Sequence, residues 1–122
     1  MAAPNVVNVT SIYGKTVCQA LDTTLTTPIV PNNNGSNKLL KLNSIIISNI
    51  DGTNAADVTI SVHNGTADFY LAKSVTVPVD STLVVLGKDS PIYLEEGDKI
   101  QAQASAAGDL EIIISYEELD DA

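Results

Sequence analysis

Length, composition and charge place the chain among single-domain globular proteins. Its 122 residues suffice for one hydrophobic core, and 44% hydrophobic with 17% charged residues is typical of a folded chain. Six basic against fifteen acidic residues leave a net charge of −9, which repels nucleic acid and anionic membranes, so neither is expected as a partner. One Cys, one His and no Trp exclude an internal disulfide framework and a Cys/His zinc cage.

The opening residues predict an extended arm. Val6, Val7 and Val9 begin an extended segment, so residues 1–9 are expected either to fold back on the domain or to add a strand to a neighbouring sheet. This start carries neither the basic nor the apolar region of a secretory signal, and no apolar run reaches the length of a membrane span. We therefore expect synthesis in the cytoplasm and no membrane contact.

A first strand and a long loop are predicted after the arm. Gly14 is expected to interrupt the chain before a strand over residues 16–21. Residues 23–37 are rich in Thr, Pro and Asn, and Pro28 and Pro31 cannot donate to a strand ladder. This stretch is predicted to be an exposed loop.

The middle of the chain predicts the core strand and a hairpin. Residues 38–50 are the most apolar stretch, with aliphatic residues at both parities, which indicates a central strand covered on both sides. Residues 57–63 alternate between apolar and polar side chains, and Asn64-Gly65 favours a type I′ turn into a return strand over 69–77.

Four short strands complete the predicted fold. They cover residues 82–86, 92–94 and 99–105 and a final stretch from Leu110, separated by Gly, Pro and Asp turns. Val, Ile and Thr supply 35 residues of the chain, and no long segment has helical periodicity. We predict an all-β fold of one domain over residues 1–122: a single, jelly-roll-like β-sandwich of about eight short antiparallel strands.

The final residues form a predicted acidic tail over positions 117–122. Its four acids are Glu117, Glu118, Asp120 and Asp121. Such a run is either a solvated terminus or an electrostatic contact for a basic neighbour. These acids and the three valines of the arm are therefore candidate partner contacts.

No catalytic constellation emerges from the sequence. Glu95 and Glu96 are adjacent, so on a strand they point to opposite faces and do not converge as a glycosidase pair. His63 lies on the polar parity of its strand and is interpreted as a surface residue. Cys18 has no local activating group and is expected to be a buried, inert thiol. We predict that the protein is not an enzyme.

Cofactor and metal sites are not predicted either. The sequence contains neither of the glycine-rich motifs that cradle phosphates. Asp51, Asn54 and Asp57 have a spacing that suits calcium, but the late bidentate Glu of a calcium loop is missing, so a solvated turn is favoured.

Several segments resemble the short, acidic, all-β virion structural proteins of tailed bacteriophages, especially cyanophages. The resemblance runs through nearly the whole chain, and its marks are Val6-Val7-Asn8-Val9, residues 48–58, Val77-Pro78, residues 92–98 and Ser115-Tyr116-Glu117-Glu118.

The resemblance implies a non-enzymatic coat component, most plausibly a decoration or cement protein on the capsid surface. Its partners would be the major capsid protein or other virion proteins. A homotrimer is expected, because a small sandwich with few charges must cover its apolar edges and coat proteins commonly occupy three-fold axes. A neck, tail or fibre component remains an alternative. So does a carbohydrate or receptor-binding module that would use residues 23–37.

Overall fold

A computed structural model of the protein describes residues 6–25 and 28–120. Strands account for most of these two stretches, and neither contains a helix. The nine strands are β1 (Ser11–Ala20), β2 (Pro28–Pro31), β3 (Lys38–Asn49), β4 (Ala56–His63), β5 (Asp68–Val77), β6 (Thr82–Leu86), β7 (Ile92–Leu94), β8 (Lys99–Ala104) and β9 (Leu110–Asp120).

The strands form two antiparallel sheets. The first has the order β1-β9-β3-β6, with β7 also paired to β3, and the second has the order β2-β8-β4-β5. Strands β6 and β7 pair with opposite halves of β3, so they share one position in the first sheet. Nine strands thus fill eight positions, and their order is that of a jelly roll. The prediction of an all-β sandwich is confirmed.

The core lies between the two sheets and is almost entirely aliphatic. The register between β3 and β9 shifts between Leu42 and Ser44, which makes a bulge at Asn43. The bulge reverses the side-chain parity, so Leu42 and Ile45 both point into the core. The aliphatic residues at even and odd positions of β3 therefore lie largely on one face of the sheet. The sequence had instead predicted a strand with both of its faces covered.

Strand β2 lies inside the segment that was predicted to be an exposed loop. Ile29 and Val30 are buried, and β2 pairs with β8 alone. Proline has no N–H to donate to a neighbouring strand. Because β2 is an edge strand and has a neighbour on one side only, Pro28 and Pro31 can occupy it. The loop prediction for residues 23–37 is wrong at these positions.

Both predicted terminal segments differ from the structure. Gly14 does not interrupt the chain: it lies within β1 and pairs with Glu117. Residues 117–120 form the end of β9 and pair with both β1 and β3, so they are not a free tail. Asp121 and the first five residues of the predicted arm lie outside the described residues.

Candidate functional site

Strand β1 is an outer edge of the first sheet and contributes little to the core. Eight of its ten residues are exposed, and Ser11 and Val17 are half-buried. It pairs with β9 over ten residues in unbroken register. Within residues 6–25 and 28–120 no strand pairs with its other side.

The open side of β1 presents a regular row of main-chain groups. Directly after β1, the Leu21 N–H donates to the Leu110 carbonyl of β9 at 2.9 Å. In an antiparallel ladder every second residue bonds to the partner strand, so the odd-numbered residues of β1, such as Val17, bond to β9. The amides and carbonyls of Gly14, Thr16 and Cys18 face outward, where an added strand would bond to them.

The other sheet edges are blunted. Strand β2 has four residues, two of them proline, and β6 and β7 have five and three. Strand β5 has ten residues, but its pairing with β4 shifts register twice, and Ser74 in it has a φ of +52°. Short length, proline and bulges are among the devices by which proteins prevent edge pairing. Of the described edges, β1 is the only long one that lacks all three, and its one lysine, Lys15, is paired with Glu118.

An apolar row crosses the outer face of the first sheet beside this edge. Cys18 pairs with Ile113, Ile113 with Ile46, and Ile46 with Val84, so four side chains lie in line across β1, β9, β3 and β6. Cys18 and Val84 are exposed, and Ile113 is 38% exposed. A partner strand added to β1 would extend this row.

The exposure of Cys18 contradicts the predicted buried thiol. The prediction rested on the lack of a local activating group, but Cys18 lies on the outer face of an edge strand. Since this sequence contains one cysteine, disulfides between copies of this chain could link them only in pairs.

The segment that leads into β1 passes beside the end of β9. Val6 and Val7 are exposed, Val9 is half-buried, and the Thr10 N–H donates to the Asp120 carbonyl at 2.9 Å. The start of the chain thus lies beside the end of β9, a proximity that no local sequence pattern indicated.

Glu118 binds lysines of this same chain. Its carboxylate lies 3.2 Å from Lys15 Nζ on β1 and 3.4 Å from Lys38 Nζ on β3, and its side chain is 12% exposed. These ion pairs connect three neighbouring strands, so Glu118 is a structural residue of the sheet. Glu117 lies 3.9 Å from Lys41 Nζ and is more exposed.

Two buried polar side chains hold the loop over residues 32–37. The Asn32 carboxamide donates to the carbonyls of Lys38 and Leu94, both at 2.9 Å. The buried Glu96 carboxylate accepts the N–H groups of Gly35 and Asn37 at 3.0 and 2.8 Å. Glu96 therefore has a structural role that its sequence pattern did not reveal, and the loop is fixed to the β7–β8 turn.

A polar cleft of about 260 Å³ opens beside this loop. Its floor carries His63 and Lys99, which are cross-strand neighbours on β4 and β8. His63, expected at the surface, is half-buried, and its Nδ1 lies 3.0 Å from Asp68 Oδ1. The cleft is lined by Pro31, Asn32, Asn33, Asn34, His63, Gly65, Gly97, Asp98 and Lys99.

The structure brings two of the three calcium candidates together, since the Asn54 carboxamide donates to Asp51 Oδ2 at 3.3 Å. Asp51 accepts the Thr53 N–H at 2.8 Å within its own turn, whereas Asp57 accepts the Thr76 hydroxyl at 2.8 Å from β5. The Thr53 N–H lowers the pKa of Asp51. Desolvation, and then the charge of Asp51, raise the pKa of Asp109. The described residues include no group of three His, Cys, Asp or Glu side chains that could hold a metal ion.

Comparison with known proteins identifies the architecture. No protein-family model and no curated protein matches the chain. A solved subunit described as "Bacillus endospore appendages form a novel family of disulfide-linked pili" superposes with a TM-score of 0.52 at 17% identity, over 92% of this chain and 90% of that one. This likeness shows a shared fold.

The solved structures similar to this chain also include a pentameric capsid protein from metagenomic phage sequences. Two structures of that description have TM-scores of 0.42 and 0.40 at 19% and 20% identity, and the match covers 61% and 60% of their chains. These neighbours and the pilus subunit are all structural proteins by description. The described part of the chain contains no helix able to cross a membrane.

Proposed function

We propose that this chain is a non-enzymatic structural protein of a tailed-phage particle and that it joins its partner through the open edge of β1. The observation that carries the proposal is the unbroken, exposed ten-residue register of this strand. Strand addition gains its affinity from main-chain hydrogen bonds and needs no catalytic group. The jelly roll, which viral coats use widely, and the sequence resemblance to phage virion proteins support the same role.

Within the particle we propose the position of a decoration or cement protein on the capsid surface, in contact with the major capsid protein. The exposed Val6 and Val7, which precede β1 in the chain, would extend the contact surface of this strand. Antibody labelling of intact particles in negative stain tests the position directly. Label on the neck, tail or fibres would replace this position with the alternative one.

A substitution in β1 tests the attachment mechanism. Thr16→Pro removes an outward N–H while the β1–β9 bonds on either side keep their donors. Thr16→Ala alters the same side chain and keeps the N–H, so it is the matched control. We expect binding to particles that lack the protein to weaken at least tenfold for Thr16→Pro and less than twofold for Thr16→Ala. Equal binding of both variants would exclude strand addition at β1.

Heating tests the cement role. Particles with and without the protein are heated while genome release is followed by dye fluorescence. A cement protein raises the release temperature, and Thr16→Pro should remove that increase. Identical release temperatures with and without the protein would reject stabilisation of the head.

We further propose a homotrimer whose own contacts do not use β1. A strand that pairs with a copy of itself does so about a two-fold axis and closes at two subunits. A three-fold contact therefore needs another surface, and β5 exposes Phe69, Tyr70 and Val75. Sedimentation should give a trimeric mass that Phe69→Ser reduces and Val84→Ser, on the first sheet, leaves unchanged. A monomeric mass of the unaltered chain at micromolar concentration would contradict the trimer.

A further inference from the structure

The polar cleft lies at one end of the sandwich, where three loops meet the second sheet. Pro31, Lys99 and His63 are in register across β2, β8 and β4. Ile100 is fully buried, so its neighbour Lys99 projects from the outer face of this sheet. The loops after β2, β4 and β7 supply the other lining residues. Loops held on a rigid sandwich are common positions for ligand sites.

The cleft contains a lysine without a carboxylate partner. Three of the six lysines form ion pairs with Glu117 or Glu118, and Lys73 lies over the Tyr70 ring. Lys99 has no ion pair with any described residue, although the chain carries a net charge of −9. The half-buried Lys99 ammonium can therefore make a charge-assisted hydrogen bond to an external carboxylate.

The lining beside Lys99 includes two exposed carboxamides. The carboxamides of Asn33 and Asn34 are exposed at the cleft and make no hydrogen bond to another described side chain. The one carboxylate in the lining, that of Asp98, accepts the Glu95 N–H at 3.0 Å within its own turn. No Phe, Tyr or Trp lines the cleft, so it lacks the large aromatic face on which a neutral sugar stacks.

Hydrogen bonds hold the main chain on both sides of the cleft in place. Asn32 and Glu96 fix both sides of the segment that carries Asn33 and Asn34. The Gly97 N–H also donates to the Asn32 carbonyl at 2.8 Å, which ties the opposite wall to the same residue. A main chain that is already fixed loses little conformational entropy when a ligand binds.

We propose that this cleft is a binding site for a small sugar acid, with the ligand carboxylate on Lys99 and its hydroxyl groups on Asn33 and Asn34. The volume of about 260 Å³ lies just below the range of pockets for drug-sized ligands, which suits a single sugar ring. His63, whose Nδ1 faces Asp68, has its Nε2 left for a ligand hydroxyl. This site is independent of the β1 edge.

Titration of the isotopically labelled protein with sodium glucuronate at constant ionic strength tests the site. We expect saturable shifts in the amide resonances of Asn33, Asn34, Gly97 and Lys99. Lys99→Gln should weaken binding at least tenfold, because it removes a charge-assisted contact. Lys88→Gln, which alters an exposed lysine outside the cleft, should leave the affinity unchanged, and Lys99→Arg should retain binding.

Two further ligands define the ligand class. Glucose offers the hydroxyl groups without the charge, and acetate offers the carboxylate alone, so both should bind at least tenfold more weakly than glucuronate. Acetate of equal affinity would overturn the sugar-acid assignment, as would glucose of equal affinity. The absence of saturable shifts with glucuronate, or equal shifts in well-folded Lys99→Gln, would overturn the site itself.

Discussion

At the scale of single residues, two buried asparagines stabilise opposite parts of the sandwich by the same chemistry. Asn32 donates to the carbonyls of Lys38 and Leu94, and Asn49 donates to those of Asn54 and Val77. Each carboxamide oxygen also accepts a bond, from Ser36 and from the Asp51 N–H. A side chain with two donors and an acceptor is required at both positions.

We expect Asn49→Asp to destabilise the fold by about 3 kcal/mol at pH 7, because a buried carboxylate would face two carbonyl oxygens. The substitution barely changes volume, so packing loss does not contribute. Burial among acceptors raises the pKa of the new carboxyl, so its protonated form can donate one bond and the loss shrinks as the pH falls. Urea unfolding at pH 7 and pH 4 measures both effects.

Asn8→Asp is the control for that experiment, since Asn8 is exposed and the change should cost less than about 0.5 kcal/mol. Equal losses for the two variants would show that Asn49 does not act through its two donated bonds.

The Asp51 and Asp109 carboxyls predict a pH dependence of stability. The pKa of Asp109 is raised, so its contribution to stability is greatest when it is protonated and is lost as the pH rises through the folded-state pKa. The pKa of Asp51 is lowered, so its contribution is present above its usual value and is lost in acid.

We therefore expect Asp109→Asn to raise the thermal midpoint at pH 7, with a benefit that disappears below about pH 4, where the native carboxyl is also neutral. Melting curves across this range test the prediction. Asp89→Asn, in an exposed turn, controls for the change in net charge. A benefit that persists at pH 3 would rule out the charge of Asp109 as its cause.

At the scale of elements, the open edge of β1 predicts an alternating pattern of hydrogen exchange. The amides of Lys15, Val17 and Gln19 bond to β9, whereas those of Thr16 and Cys18 face solvent. We expect the first set to exchange at least tenfold more slowly than the second in the isolated protein. On the particle the second set should become protected as well. Uniform protection of β1 in the isolated protein would indicate a covered edge.

Most strands were predictable because their signals are local. The alternation in β4 and the Asn64-Gly65 turn lie within a few residues of each other, and the structure has the hairpin there. Strand β2 was missed because its two prolines are tolerated only at an edge, and edge position is a property of the whole sheet. For the same reason the exposure of Cys18 was not predicted.

The candidate sites depend even more on long-range placement. His63 and Lys99 are far apart in sequence and meet only through the pairing of β4 with β8. Glu118 resembled part of an acidic tail because Lys15 and Lys38 come from two other strands. Sequence patterns identified which side chains exist but not which strands lie side by side.

At the scale of the whole molecule, the net charge opposes the self-association that the open edge of β1 favours. Main-chain groups of β1 favour pairing with any free strand, including β1 of another copy, whereas a charge of −9 repels such copies. Screening shortens the range of this repulsion from about 10 Å at 0.1 M salt to about 3 Å at 1 M.

We accordingly expect the isolated protein to form larger species at 1 M than at 0.1 M sodium chloride, as measured by light scattering. Thr16→Pro should abolish the increase and Thr16→Ala should not. If the size of the species formed by the isolated protein does not change with salt, charge repulsion is not what keeps the β1 edges apart.

The shared sheet position of β6 and β7 makes the chain a natural carrier for foreign peptides. Both strands pair with β3, and residues 87–90 between them are exposed, with the Ser90 N–H on the Gly87 carbonyl closing the turn. Each strand has its own partner half on β3, so added residues at this point lengthen a surface turn without shifting either register. An epitope inserted between Asp89 and Ser90 would project from the sandwich. A particle decorated with such a fusion would display one epitope for each copy of the protein that it binds.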